Sequence, residues 1–237
     1  GLITVRGQVT LVAKYNTFDG NDDLSLGYAV TNTTEATGNQ TYEYNTFLHC
    51  PAACLTFGQT GNFKIHYNYV QGIDELSNPS CNPACSHGDW FIINNFTMAA
   101  ITETLNASFD TVYLDSTNGS NMSTLCYFAF AGPPYPAPTF SGSCRNETYI
   151  ARAGYNVGGT AVRVEPQGTA QGPFTIANNY IDPADFAGGA GLVILANGSD
   201  GTSSSVTCTG NINMLNGSTV TPSNGQTNEG RSFMTCR

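Results

Sequence analysis

Residues 1–15, GLITVRGQVTLVAKY, alternate almost without interruption. Ile3, Val5, Val9, Leu11, Ala13 and Tyr15 share one face; Thr4, Arg6, Gln8, Thr10 and Lys14 share the other, with Val12 the single apolar exception. Period-2 alternation predicts a strand with one buried face. From Ile3 to Tyr15 it would span about 43 Å at roughly 3.3 Å per residue, more than twice an ordinary strand. Gly7 breaks the inward set, so it marks either a bend where the strand changes sheets or a small residue inside a strand that serves a neighbour.

The whole chain has 237 residues, room for one large β domain or two small ones. Only 11% are charged while 40% are hydrophobic, with 12 Tyr and 13 Phe, which predicts packed cores rather than disorder. A net charge of -9 and eight scattered Lys and Arg form no basic patch, so nucleic acid and anionic membrane surfaces are not expected partners. The longest near-apolar run, Phe186 to Ala196, falls short of the roughly 20 residues that cross a bilayer, so no membrane insertion is expected. No signal peptide is recognisable, which leaves a mature secreted chain or a cytosolic one.

Two features favour the cell exterior. Eight cysteines (Cys50, Cys54, Cys81, Cys85, Cys126, Cys144, Cys208 and Cys236) include the similar pairs CPAAC and CNPAC. Zinc sites use such spacings, but each pair encloses a Pro and the other four are scattered, so disulfides are expected. The expected pairings are Cys126–Cys144 and Cys208–Cys236, with Cys50, Cys54, Cys81 and Cys85 tying the loop after Leu48 to the loop before Trp90. Asn-x-Ser/Thr occurs at Asn32, Asn39, Asn95, Asn106, Asn118, Asn121, Asn146, Asn197 and Asn216. Such density predicts an exported protein bearing N-linked glycans.

Beyond residue 15, strand patterns dominate. Phe63, Ile65, Tyr67 and Tyr69 alternate with Lys64, His66 and Asn68; Val206, Cys208, Gly210 and Ile212 alternate with Thr207, Thr209 and Asn211. The one helical candidate, Met98 to Leu105, is short and rich in Thr. Many short strands between Gly-, Pro- and Asn-rich turns predict an all-β, disulfide-stapled β-sandwich, Ig-like or jelly-roll. The expected division is an N-terminal strand over 1–15 and a β-sandwich over 16–237. The Pro-rich stretch 132–143 either splits the latter into two packed domains or forms a loop stapled by Cys126 and Cys144. No internal repeat stands out.

Catalytic sets are hard to find. No Gly-x-Ser-x-Gly elbow exists, and NGSDG at 197–201 fits only if its first Gly is ignored. His66 reads as a surface residue, while His49 and His87 each neighbour a cysteine pair. Asp74, Glu75, Asp182 and Asp185 lack the arrangement of a glycosidase pair, and Trp90 is the only Trp. Asp19, Asn21 and Asp23 resemble half a calcium loop without its Gly and distal Glu. No cofactor, metal or catalytic residue is therefore expected.

With Ile3, Val5, Gly7, Val9 and Leu11 as its inward set, residues 2–15 resemble the donor strand of donor-strand-complemented pilus subunits, glycosylated archaeal filaments more than bacterial pilins. That resemblance implies a subunit interface at those five residues and copies of the chain as partners. The expected function is a non-enzymatic structural subunit of an extracellular glycosylated filament or coat, assembled head-to-tail by strand complementation. The alternatives are a secreted or viral attachment or carbohydrate-binding module, and a secreted hydrolase.

Overall fold

The computed structural model describes residues 3–20, 30–32, 37–50, 53–58, 60–73, 89–93, 101–114, 124–128, 139–151, 160–164, 172–182, 194–196, 206–220, 223–224 and 234–236. Among these residues every regular element is a strand, as the all-β expectation requires. The sandwich expectation is not confirmed. Each strand pair is parallel, and each of three sheets takes every third strand along the chain. The chain therefore winds as a stack of coils, a parallel β-solenoid, instead of folding back in antiparallel hairpins as an Ig-like or jelly-roll domain does.

The first coil is β1 (Ile3–Val5), β2 (Leu11–Lys14) and β3 (Thr17–Asp19), and the second is β4 (Val30–Asn32), β5 (Gln40–Glu43) and β6 (Thr46–Cys50). β7 (Leu55–Phe57), β8 (Gly61–His66) and β9 (Tyr69–Ile73) make the third; β10 (Asp89–Ile93), β11 (Thr102–Ser108) and β12 (Thr111–Leu114) the fourth. The fifth is β13 (Thr124–Phe128), β14 (Thr139–Arg145) and β15 (Thr148–Ala151). β16 (Thr160–Val164), β17 (Phe174–Ala177) and β18 (Tyr180–Ile181) follow, then β19 (Ile194–Ala196), β20 (Val206–Thr209) and β21 (Ile212–Asn213). β22 (Ser223–Asn224) and β23 (Met234–Cys236) extend the first and second sheets.

Residues 3–15 are thus not one strand. β1 pairs with β4 in the first sheet and β2 with β5 in the second, and between them Gly7 takes φ +73°, a conformation open to glycine. Met98 to Leu105 does not form the candidate helix: from Thr102 the chain is in β11, where Leu105 and Ala107 point inward. Strand pairing crosses the stretch 132–143 in all three sheets, through β13–β16, β11–β14 and β12–β15.

Parallel in-register stacking puts like positions above one another, so the core is a set of columns. Phe18, Phe47, Val70, Val112, Tyr149 and Ile181 align along the third sheet and are all buried. Phe18 stacks on Phe47 at 4.8 Å, and Trp90 meets Phe47 edge-on at 4.9 Å from the first sheet. Gly142 interrupts the column of Phe63, Leu105, Phe174 and Val206, where a Cβ would collide with the Leu105 carbonyl and the Phe128 ring. Each side chain buried here is worth about 1.5–3 kcal/mol relative to exposure.

Candidate functional site

One corner repeats in every coil that has both a second- and a third-sheet strand. Two residues join those strands, and the first takes positive φ: Tyr15, Tyr44, Tyr67, Phe109, Asn146, Asn178 and Gly210. The next residue is Asn16, exposed at the end of the stack, and then Asn45, Asn68, Asp110, Glu147, Asn179 and Asn211, all buried. A left-handed conformation costs an L-residue roughly 1–2 kcal/mol. Asn and Gly tolerate it, but Tyr and Phe need compensation.

Part of that compensation lies outside. The rings of Tyr15, Tyr44, Tyr67 and Phe109 form a parallel stack with centroids 5.2, 5.0 and 4.9 Å apart and planes within 8°. Such pairs contribute about 0.5–1.5 kcal/mol each. Beside the stack, Lys14 pairs with Glu43 at 2.6 Å, and its pKa is raised by that hydrogen bond. His66 stands 4.0 Å from Glu43, and burial holds its pKa below the ordinary value despite that carboxylate.

The rest lies inside, in a ladder of side chains. The Asn45 Oδ1 accepts from Asn16 N at 3.0 Å and from Asn16 Nδ2 at 3.2 Å, while Asn45 Nδ2 donates to Ala13 O at 2.9 Å. Asn68 repeats this one coil on: its Oδ1 accepts from Asn45 N and Nδ2, and its Nδ2 donates to Tyr42 O. Asn179 and Asn211 repeat it again near the other end. A buried amide suits the position because it supplies acceptor and donor together.

Asp110 and Glu147 occupy the two middle steps without an amide. Asp110 Oδ1 accepts from Asn68 N at 2.6 Å and Asn68 Nδ2 at 2.9 Å, and Glu147 Oε2 accepts from Asp110 N at 3.2 Å. Their other oxygens, Asp110 Oδ2 and Glu147 Oε1, are buried without a hydrogen bond, as are Trp90 Nε1 and Tyr149 Oη. Burial pushes Asp110 up to about 7, opposed by its bonds from Asn68; the Trp90 indole opposes it too, although no well-formed hydrogen bond joins them. Glu147 is raised well above the carboxylate range by burial and by the Asp110 charge, and Tyr149 is raised by burial and both acids.

Other expected sites fall elsewhere. Cys50 bonds Cys54, so CPAAC closes on itself rather than reaching Cys81 or Cys85, which lie outside the described residues. The two Cα atoms lie 5.3 Å apart, and sequence distance could not show that. Cys126 bonds Cys144 as expected, fastening the first sheet to the second across the interior. Cys208 is disulfide-bonded, and the residue in register with it is Cys236. These bonds fit an oxidising environment.

Asp19 of the half calcium loop pairs with His49 at 2.9 Å; Asn21, Asp23, His87, Asp74, Glu75, Asp185 and 197–201 lie outside the described residues. Asp182 donates its main-chain N–H to Tyr149 O. Among the described residues, no three His, Cys, Asp or Glu side chains converge as metal ligands. The expected interface set turns inward on its own fold: Val5 is buried, and Ile3, Val9 and Leu11 pack half-buried against the chain's own core.

Of the sequon asparagines, Asn39 and Asn216 are exposed and Asn106 and Asn146 half-buried; Asn32, Asn95, Asn118, Asn121 and Asn197 lie outside the described side chains. The Asn106 Oδ1 accepts from Ser143 at 3.0 Å within the second sheet, whereas Asn216 sits in an open turn. Glycopeptide mass spectrometry of protein from a secretory host should find Asn39 and Asn216 more fully occupied than Asn106. The reverse order would contradict this surface.

The fold and its corner define a parallel β-solenoid with an internal amide ladder. No family model, curated protein or solved structure matches the chain. The corner escaped sequence reading, although YNTF at 15–18 and again at 44–47 carries it. Spacings between successive ladder residues of 29, 23, 42, 37, 32 and 32 hid the repeat.

Proposed function

We propose that the chain is a structural, non-enzymatic glycoprotein of the cell exterior, a β-solenoid that assembles by adding the strand edges of another copy to its first coil. The observation that carries this reading is the parallel, in-register stacking of successive coils, a pairing that a coil of another copy can continue. Leu11 N donates to Asn39 O and Tyr15 N to Glu43 O. In a parallel strand the main-chain groups of Val12 and the Lys14 N–H then point off the stack, as a template for another strand, while the Lys14 carbonyl accepts from Asn16 Nδ2 at 2.9 Å. Tyr15, 77% exposed, ends the aromatic stack on the same side.

Head-to-tail addition would join β22 and β23 of one copy to β1 and β2 of the next, an open-ended contact that grows a filament. The third sheet takes no part, because its last strand is already covered: Ile212 bridges Thr219 antiparallel and Asn213 N donates to Ser218 O at 2.8 Å. Exposed sequons at Asn39 and Asn216 leave the β1 and β2 edge clear, since Asn39 belongs to the second coil and Asn216 to that covering turn. Affinity comes from main-chain hydrogen bonds rather than from the side chains of Ile3, Val5, Val9 and Leu11.

Val12→Pro tests the reading, since it removes an N–H that points off the stack and none that binds β5. Wild-type 1–237 should sediment as concentration-dependent polymers visible by negative stain. Val12→Pro should stay monomeric with an unchanged unfolding midpoint. A monomeric wild type, or a variant that assembles equally, would overturn the proposal. So would a longer protein that stays monomeric because further coils precede residue 1 and occupy this edge.

A further inference from the structure

The two acidic steps of the ladder ask for something the amide steps do not. At each Asn step the amide nitrogen donates to the carbonyl three residues before the preceding ladder residue: Asn45 to Ala13, Asn68 to Tyr42, Asn179 to Cys144 and Asn211 to Ile176. By that register a donor from position 110 would serve the Ile65 carbonyl and one from position 147 the Ala107 carbonyl, and the oxygens left over at these two steps are Asp110 Oδ2 and Glu147 Oε1. Both oxygens are buried without a well-formed hydrogen bond, although the Trp90 indole acts on Asp110. An ionised carboxylate has no proton to give to a carbonyl, whereas a protonated one presents O–H and C=O as an amide presents N–H and C=O.

We infer that Asp110 and Glu147 form a buried proton-binding site within the ladder, which completes the stack when protonated and loosens it when ionised. The titratable groups facing the pair are each other and Tyr149 from β15; Trp90 faces it from β10, and Asn68 and Asn179 flank it along the ladder. The other buried acid on β11, Glu103, lies at the far end of that strand. Among the described residues no Lys, Arg or His side chain acts on either carboxyl; burial acts on both, with the Asp110 charge on Glu147 and the hydrogen bonds from Asn68 and the Asp110 main chain.

The sign follows from where the protons sit. Both carboxyls are raised above their unfolded values, so the folded state holds protons that the unfolded state has released. Stability is then full below the unfolded carboxyl range and falls as pH rises toward about 7, where Asp110 titrates. For Asp110 alone the loss between about pH 5 and about pH 8 is roughly a hundredfold in the folding equilibrium constant.

Denaturant unfolding should be followed from about pH 5 to about pH 8 for wild type, Asp110→Asn, Glu147→Gln and the double variant. The wild-type midpoint should fall across that range. The variants should lose the slope, the double variant most, and Asp110→Asn should exceed wild type at the alkaline end. A flat wild-type profile, or an equal slope in the double variant, would overturn the inference. Should the variants fail to fold, infrared difference spectra of wild type over the same range decide: a protonated-carboxyl band must disappear as pH rises, and its absence at the acidic end would sink the site.

Discussion

Asn68→Ala should lower the free energy of unfolding by roughly 4 kcal/mol, with buried groups losing about 1–3 kcal/mol each when left unpaired. The substitution strips the acceptor from Asn45 N at 3.0 Å and Asn45 Nδ2 at 3.1 Å, and the donor from Tyr42 O at 3.0 Å and Asp110 Oδ1 at 2.9 Å. All four lie where water does not reach, since Asn45 is 2% and Asp110 1% exposed and Tyr42 is fully buried. Two controls fix the cause. Asn62→Ala removes an exposed amide bonded to Asn39 at 3.0 Å and should stay within about 0.5 kcal/mol of wild type. Asn16→Ala removes only the end of the ladder and should cost about 1 kcal/mol. Equal losses at Asn68 and Asn62 in denaturant unfolding would mean that the ladder contributes nothing beyond ordinary polar surface.

The second large effect belongs to Cys126–Cys144. The bond spans a sequence separation of 18 and joins two sheets through the interior. Constraint of the unfolded chain alone gives about 3 kcal/mol for a loop of this length, against about 2 kcal/mol for the short Cys50–Cys54 loop. Cys126→Ala with Cys144→Ala should therefore shift the denaturant midpoint more than Cys50→Ala with Cys54→Ala does. Because both sulfurs are fully buried, mild reductant should leave the folded wild type oxidised and act only as it unfolds. Identical shifts for the two pairs, or ready reduction of native protein, would contradict this account.

The coil repeat was present in the residues but masked by a phase change. Along Phe63, Ile65, Tyr67 and Tyr69 the apolar letters alternate without a break, and one strand is the natural reading. In the structure Phe63 and Ile65 are buried whereas Tyr67 and Tyr69 are 46% and 38% exposed. Asn68 lies between them, buried, and Val70 resumes the core. The two-residue corner rotates the chain so that the inward set slips by one position, which in a strand moves every later side chain to the other face. Ala13, Tyr15 and Phe18 show the same slip: buried, exposed, buried. A Tyr in left-handed conformation followed by an inward Asn contradicts both local preferences, and only the stack of neighbouring coils repays it.

Composition and alternation therefore determined much: strands rather than helices, a core rich in aromatic residues, oxidised cysteines and the Cys126–Cys144 pair. Those properties depend on how many side chains want burial and on contacts between neighbours in sequence. Parallel pairing, the inward Asn ladder and the self-closed Cys50–Cys54 bond were decided by tertiary structure alone. The physical reason is that alternation records which face of a strand is dry, not which strand lies beside it. An asparagine reads as a surface residue until the coils above and below supply its hydrogen bonds, and at Asp110 and Glu147 the same stacking turns two ordinary acids into buried ones.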